Sequence, residues 1–329
     1  MMDSLIFALW AVIPLVALVA LGYLLKRVGL MDGELAKKLN RLVFHVFLPT
    51  TLFLNVYKIE RTSELALGYV VYALVATLVI FLLSLGFLAL IVPERARRGA
   101  LVQLAFRSNY ALVGIPLAQS LFGETGVSAA TLLSAIIIPT FNILAVITLS
   151  IFREDGERPS TMKILKGIVG NPLIRAIFLG FAILALRAVF VRAGIGFRLN
   201  QIEPLLRVAN QLSALSTPLA LLALGAQFEF SAAGELGREI TIGVLLRAVI
   251  VPALGLGIAY LFFRDTFGGA HFASLVAVFA TPVAVSSVPM VQEMNGDVRL
   301  MGQLVIWTTL FSSISIFLAA FLLRLGGVL

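Results

Sequence analysis

Gly114-Ile115-Pro116-Leu117-Ala118-Gln119, followed by Gly123-Glu124, and Ser287-Val288-Pro289-Met290-Val291-Gln292, followed by Gly296-Asp297, decide how this chain folds. Proline meets proline, glutamine meets glutamine, glycine meets glycine and acid meets acid at one constant spacing, and Pro49 and Pro218 pair at a similar one. A proline inside a helix removes a hydrogen bond and clashes with the preceding turn. Both motifs lie in strongly apolar runs, where lipid offers no water to the freed backbone groups. Such breaks survive only where protein or an aqueous cavity satisfies them. Interrupted helices at corresponding positions in two halves of a membrane protein point to a substrate site near the bilayer midplane.

The apolar runs themselves set the class. Of 329 residues, 60% are hydrophobic and 13% charged, and the mean hydropathy is +1.05. A soluble domain needs more polar surface than this, so the lipid bilayer is the solvent for most side chains. A spanning helix needs about 20 apolar residues. Ten runs qualify: 4–25, 39–57, 65–92, 100–122, 126–152, 172–190, 205–228, 239–263, 271–294 and 300–324. The first is too long for a signal-peptide core and has no basic region before it, so it is expected to be a retained span. Five spans per half, an odd number, make the second copy enter from the opposite side. The expected fold is all-α integral membrane, with ten transmembrane helices in two inverted five-helix repeats, 1–152 and 171–329, joined by a cytoplasmic loop at 153–170.

The net charge of +8 resides in the short gaps between runs. Loops holding Lys26, Arg27, Lys37, Lys38 and Arg41, then Arg95, Arg97 and Arg98, then Arg153, Arg158, Lys163 and Lys166, then Arg238 and Arg299, outweigh the alternate set of Lys58, Arg61, Arg187, Arg192, Arg198, Arg207, Arg264 and Arg324, clearly in the first half and weakly in the second. The richer set is expected to be cytoplasmic, which leaves both termini non-cytoplasmic. Basic residues placed this way argue against a nucleic-acid partner. With no cysteine, disulfides, thiolate metal sites and cysteine nucleophiles are excluded, and two histidines and 17 acidic residues leave little for a metal centre. No cofactor is expected. The Gly-x-x-x-x-Gly-Lys-[Ser/Thr] motif of ATP-driven transport is absent. The runs hold no aspartate pair and no His-Glu-x-x-His, so an intramembrane enzyme is not expected; a channel or sensor is the other class considered.

Asn109-Tyr110-Ala111-Leu112-Val113-Gly114-Ile115-Pro116-Leu117 resembles the fourth-helix crossover of the auxin efflux carrier family, which contains the plant PIN transporters and bacterial malate or malonate carriers. The likeness continues at Leu39-Asn40-Arg41-Leu42-Val43, Phe47-Leu48-Pro49, Gly170-Asn171-Pro172, Ala223-Leu224-Gly225, Leu246-Arg247 and Pro252, and at Val288-Pro289 with Gln292-Glu293. The resemblance implies broken, crossing helices 4 and 9, of the kind in NhaA and bile-acid symporters. It also implies a scaffold of spans 1, 2, 6 and 7, a transport domain of spans 3–5 and 8–10 moving as an elevator, an organic anion substrate, and a homodimer through the scaffold. Plant members carry a long central hydrophilic loop; this chain lacks one, which points to a compact carrier in the cytoplasmic membrane of a bacterium.

Few polar residues lie at membrane depth. The family's crossover asparagine is implicated in carboxylate binding, and Asn109 matches it; an uncharged amide also donates without a large desolvation cost. Arg107 and Arg247, on runs that begin near 99 and 238, are expected about 12–14 Å deep at 1.5 Å per residue. Glu293, one turn past Pro289, is expected to pair with one of them, leaving one positive charge for an anion; the alternative is a purely structural network of the three. Half-helix N-termini at Pro116 and Pro289 carry partial positive charge. Around them, Gly114, Ile115, Thr281, Pro282, Ser286, Ser287 and Val288 are candidate substrate ligands, with Gln119 and Gln292 one turn beyond and Asn142, near Pro139 and Thr140, beside them. The small ones are equally packing residues. His45 is a candidate for proton coupling, and His271 sits at the outer mouth of the ninth run. The expected function is a secondary transporter moving a small organic anion by alternating access, with a proton or sodium as candidate coupling ion. A sodium-coupled bile-acid-type symporter is the alternative, with Gln119, Gln292 and Glu293 offering oxygen ligands.

Overall fold

Short acidic and amide side chains open the helices that lead into the apolar runs. Asp32 accepts from the Leu35 N–H at 2.6 Å, Asn171 from the Leu173 N–H at 2.9 Å and Asp297 from the Leu300 N–H at 2.8 Å. Each satisfies a helix-start donor that has no partner within its own helix. The computed structural model describes residues 2–58, 67–153, 161–194 and 201–329. Its order is α1 (Met2–Arg27), α2 (Gly33–Leu42), α3 (Leu48–Tyr57), α4 (Leu67–Ile91), α5 (Arg95–Phe106), α6 (Ile115–Ile151), α7 (Thr161–Gly170), α8 (Pro172–Arg192), α9 (Glu203–Gln227), α10 (Ser231–Glu235), α11 (Gly237–Leu245), α12 (Val251–Phe263), α13 (Gly269–Phe279), α14 (Ser287–Glu293) and α15 (Val298–Leu325). The described residues are organised entirely by helices, and seven of these helical segments are long and apolar enough to cross a membrane. The protein is a multi-pass membrane protein.

Three π-turns, Val43–Phe47, Tyr110–Gly114 and Leu246–Ile250, each end two residues before a proline: Pro49, Pro116 and Pro252. A proline lacks the N–H that would close an ordinary turn, and a wider turn absorbs the mismatch without ending the helix. Pro218, the expected counterpart of Pro49, lies inside α9 instead.

Where the chain breaks differs from the expectation. The prolines do not interrupt the helices. The interruptions are the segments between α5 and the Tyr110 turn and between α13 and α14, and the prolines follow within the next half-helix. Pro289 is the third residue of α14, where its missing N–H deprives no helical bond. The runs expected at 100–122 and 126–152 meet at a sharp corner: the backbone leaves helical geometry at Phe122 and Gly123, so α6 consists of two helical pieces that abut there. Gly123 has φ 59° and ψ −149°, a region essentially closed to residues with a Cβ. At the matching place in the second half it is Asn295 (φ 55°), one position before Gly296, that is left-handed, so the matched glycines do not share a backbone role. Part of the expected 153–170 loop is helical, as α7. Of the loop charges, Arg61, Arg158 and Arg198 lie outside the described residues, as does the side chain of Lys163.

Packing divides the helices. α1 lies against α9, and α3 against α8 and α9. A Cβ on Gly225 would stand 2.0 Å from the Val19 carbonyl oxygen, and one on Gly22 2.2 Å from that of Leu222, so backbone touches backbone at this crossing. α13 packs on α6, α4 on α5 and α11 on α15. The ion pair of Arg97 with the buried Glu239, 3.0 Å long, ties α5 to α11.

Candidate functional site

The two interrupted segments meet. Ser108 and Val283 form an antiparallel bridge, and the Asn109 N–H donates to the Pro282 carbonyl at 2.7 Å. Extended backbone at membrane depth thus satisfies itself across the crossing. Thr308 of α15 closes one side, its hydroxyl oxygen accepting from the Val283 N–H at 3.4 Å.

Arg107 occupies the first break and is 3% exposed. One Nη donates to Asn142 Oδ1 at 3.0 Å and to Ser286 Oγ at 2.8 Å, and the other contacts Met290 Sδ. All three partners are neutral, and among the described residues no carboxylate pairs with Arg107. Asn142 holds its own orientation by donating to the Ile138 carbonyl at 2.8 Å. Beside this guanidinium, the buried atoms Asn109 Nδ2, Ser108 Oγ and Ser287 Oγ have no hydrogen-bond partner. Polar atoms buried without partners are rare in folded proteins, and these three belong to the segments at the two breaks, while others such as Thr77 Oγ1 and Ser312 Oγ lie elsewhere.

Arg247, fully buried, is engaged differently. Its Nε donates to the Thr281 carbonyl at 2.7 Å, and its Nη atoms to those of Val278 at 2.8 Å and Ala105 at 3.1 Å. Thr281 turns its hydroxyl back to the Ala277 carbonyl. A family model described as membrane transport protein matches residues 7–319. The chain belongs to this family, the auxin efflux carriers.

Two similar proteins share this length. An uncharacterized transporter of Methanothermobacter thermautotrophicus is 26% identical over 312 residues, covering 93% of this chain and 95% of its own. Another, of Methanocaldococcus jannaschii, is 26% identical over 325 residues, covering 95% and 97%.

Within this auxin efflux carrier family member, the expected pairing of Glu293 with Arg107 or Arg247 does not occur. Glu293 lies 3.6 Å from Arg41 Nε and 3.9 Å from His45 Nδ1. α14 thus presents this carboxylate to α2 and the Val43–Phe47 turn, and to neither buried arginine. Gln292 goes the same way: its Oε1 accepts from Asn40 Nδ2 at 2.9 Å and its Nε2 donates to the Lys37 carbonyl at 3.1 Å. Gln119 is exposed and donates to Glu124 at 3.4 Å, so the matched glutamines serve different ends. The expected helix-end donors of α14 are also engaged, Ser287 N–H with the Ala284 carbonyl and Val288 N–H with that of Val285. Gly114 packs against Ala277 of α13, and Pro116 is exposed while Ile115 is half-buried. His271 accepts from the Gly268 N–H at 3.1 Å and stacks on Tyr69, a structural post.

A cavity of about 590 Å³ opens beside α14. Lys26, Lys37 and Gln227 line it from α1, α2 and α9, and Val288, Gln292 and Arg299 from α14 and α15. In the sequence, Asn40 and Arg41 belong to the stretch that carries the family likeness, and Arg41 also to the basic loops; nothing in their spacing assigns them to Gln292 and Glu293.

Proposed function

We propose that this protein is a secondary transporter that carries a small organic carboxylate by alternating access, bound where the two interrupted segments cross. The observation that carries the reading is Arg107, a buried guanidinium whose partners are all neutral. Charge buried at membrane depth is costly unless it is paired, and an anionic guest supplies the counter-charge. Asn109 Nδ2 and Ser287 Oγ add two neutral donors. A buried polar group left unsatisfied costs about 1–3 kcal/mol, which a bound carboxylate recovers.

The ten-span reading, two inverted repeats of five, has support in the parallel construction of the breaks. Each runs from a half-helix through an extended segment to a second half-helix carrying a proline, and the extended pieces lie antiparallel. A two-fold axis in the membrane plane relates elements in this way. The packing of α1, α3, α8 and α9 on one another suits a scaffold, with the remaining spans as the moving domain. Alternating access would then part α14 from α2, opening and closing the cavity beside Gln292. The basic loops around Lys26 and Lys37 support a cytoplasmic opening for this cavity. The sodium-coupled alternative loses its expected ligand set, because Gln119 faces away while Gln292 and Glu293 are engaged with α2.

The test is a thermal-shift screen of the purified protein with malate, malonate, citrate, indole-acetate and cholate, followed by uptake of any hit into proteoliposomes. A ligand that binds the folded form raises its melting temperature. The expected result is a carboxylate that stabilises the wild type but not Arg107→Gln and is taken up saturably. Equal stabilisation of the wild type and Arg107→Gln by every anion that binds would overturn the reading.

A further inference from the structure

The C-terminal ends of the two inner half-helices converge on one side chain. α5 ends at Phe106 and α13 at Phe279, and the last carbonyls of any helix have no partner within it. Here the Gln103 carbonyl accepts from the Arg107 N–H, that of Val276 from the Ala280 N–H and that of Ala277 from the Thr281 hydroxyl. Of the others, Ala105 in α5 and Val278 in α13, together with Thr281 two residues past α13, are taken by the guanidinium of Arg247 at 2.7–3.1 Å. Each helix end also carries partial negative charge. Two such ends with converging carbonyls are the arrangement by which interrupted membrane helices hold a sodium ion or proton. Among the described residues no carboxylate pairs with Arg247; its counter-charge is the two helix ends themselves.

We propose that Arg247 is a resident cation: its guanidinium fills the carbonyl cluster that a monovalent metal ion would otherwise occupy, so the crossing assembles without sodium. The inference goes beyond the carboxylate reading and does not depend on it. The guanidinium is tethered to the π-turn Leu246–Ile250, so it cannot leave with the substrate. No ion gradient is coupled through this point. Removing the side chain leaves three converging oxygens in a space open to a small cation.

The experiment uses the purified full chain without any transport substrate, so its outcome is separate from that of the carboxylate screen. Wild-type melting temperature is compared in sodium, potassium and choline chloride at equal ionic strength, and is expected to be the same in all three. Arg247→Ala is expected to melt about 5 °C or more lower, and low millimolar methylguanidinium or sodium to restore at least half of the loss in a saturable way. Methylurea, the same shape without the charge, is expected to restore none of it. Sodium-specific stabilisation of the wild type, equal rescue by methylurea, or no rescue by any cation would each overturn the proposal. If Arg247→Ala yields no folded protein, Arg247→Lys against Arg247→Met decides. Lysine is expected to keep the melting temperature near that of the wild type and methionine to lose it. Equal behaviour of the two, including loss of folding in both, counts against a resident cation.

Discussion

The main-chain N–H of Asn109 donates to the carbonyl of Pro282 at 2.7 Å, joining residues far apart in sequence at the point where each leaves its helix. One bond thereby satisfies a donor from one broken segment and an acceptor from the other. It also fixes the neighbouring side chains, Arg107 on one strand of the crossing and Ser286 on the other, at 2.8 Å from each other. The geometry of the site is set by backbone, and its chemistry by what the backbone presents.

Arg107→Gln separates charge from fold. A hydrogen bond to a charged group contributes about 1.5–3 kcal/mol, so carboxylate uptake in proteoliposomes is expected to fall ten- to hundredfold or more. Folding is expected to be unharmed or improved, because a neutral amide replaces a buried charge lacking a carboxylate partner. Melting temperature and uptake measured on the same preparation check both parts. Wild-type uptake by this variant would remove Arg107 from the site.

Gly225→Ala tests the α1–α9 contact. The new methyl would meet backbone atoms of Val19 and Tyr23 at 2.0–2.9 Å, which no side-chain rotation relieves. Overpacking of this kind costs about 1–3 kcal/mol, so a clear drop in thermal stability is expected. Gly86→Ala, where the added carbon finds nothing within 4 Å, is the control and is expected to melt at or above the wild-type temperature.

Gly123→Ala isolates backbone strain. There is open space around the position, with nothing within 4 Å of the added carbon, yet φ is 59° and ψ −149°. A loss of about 1–3 kcal/mol is expected, read as a lowered melting temperature. No loss would mean that the corner relaxes to an ordinary conformation.

The α2–α14 contact is open to cross-linking, since the chain has no cysteine to interfere. Asn40→Cys with Gln292→Cys, bridged by a short bifunctional thiol reagent, is expected to stop transport, and reductive release to restore it. Each single variant treated alike is the control. Undiminished transport by the bridged protein would show that α14 does not part from α2 during the cycle.

Much of this was legible in one dimension. Sixty per cent apolar residues in long runs require a bilayer whatever the fold, and the matched Pro116 and Pro289 motifs mark the two segments that are interrupted. The position of the interruption was not legible, because a proline is tolerated in the first turn of a helix and a π-turn absorbs it elsewhere. Sequence marks that a helix is disturbed near Pro116; the turn before it decides where.

Charge partners were the least legible. Glu293 and Arg247 lie at compatible depths by simple counting, yet Glu293 meets Arg41 and His45 while Arg247 meets three carbonyls. Depth follows from residue number at a fixed rise per residue, but the direction a side chain faces depends on how its helix is rotated against its neighbours.

By itself the sequence determined the solvent, the family and the two interrupted segments, since each is carried by composition or by a local motif. Only the tertiary structure decided that the interruptions cross through Ser108 and Val283, that Arg107 is left with neutral partners, and that Arg247 closes two helix ends. These depend on the approach of segments distant in the chain, and backbone carbonyls, which every residue type carries alike, leave no trace in the letters.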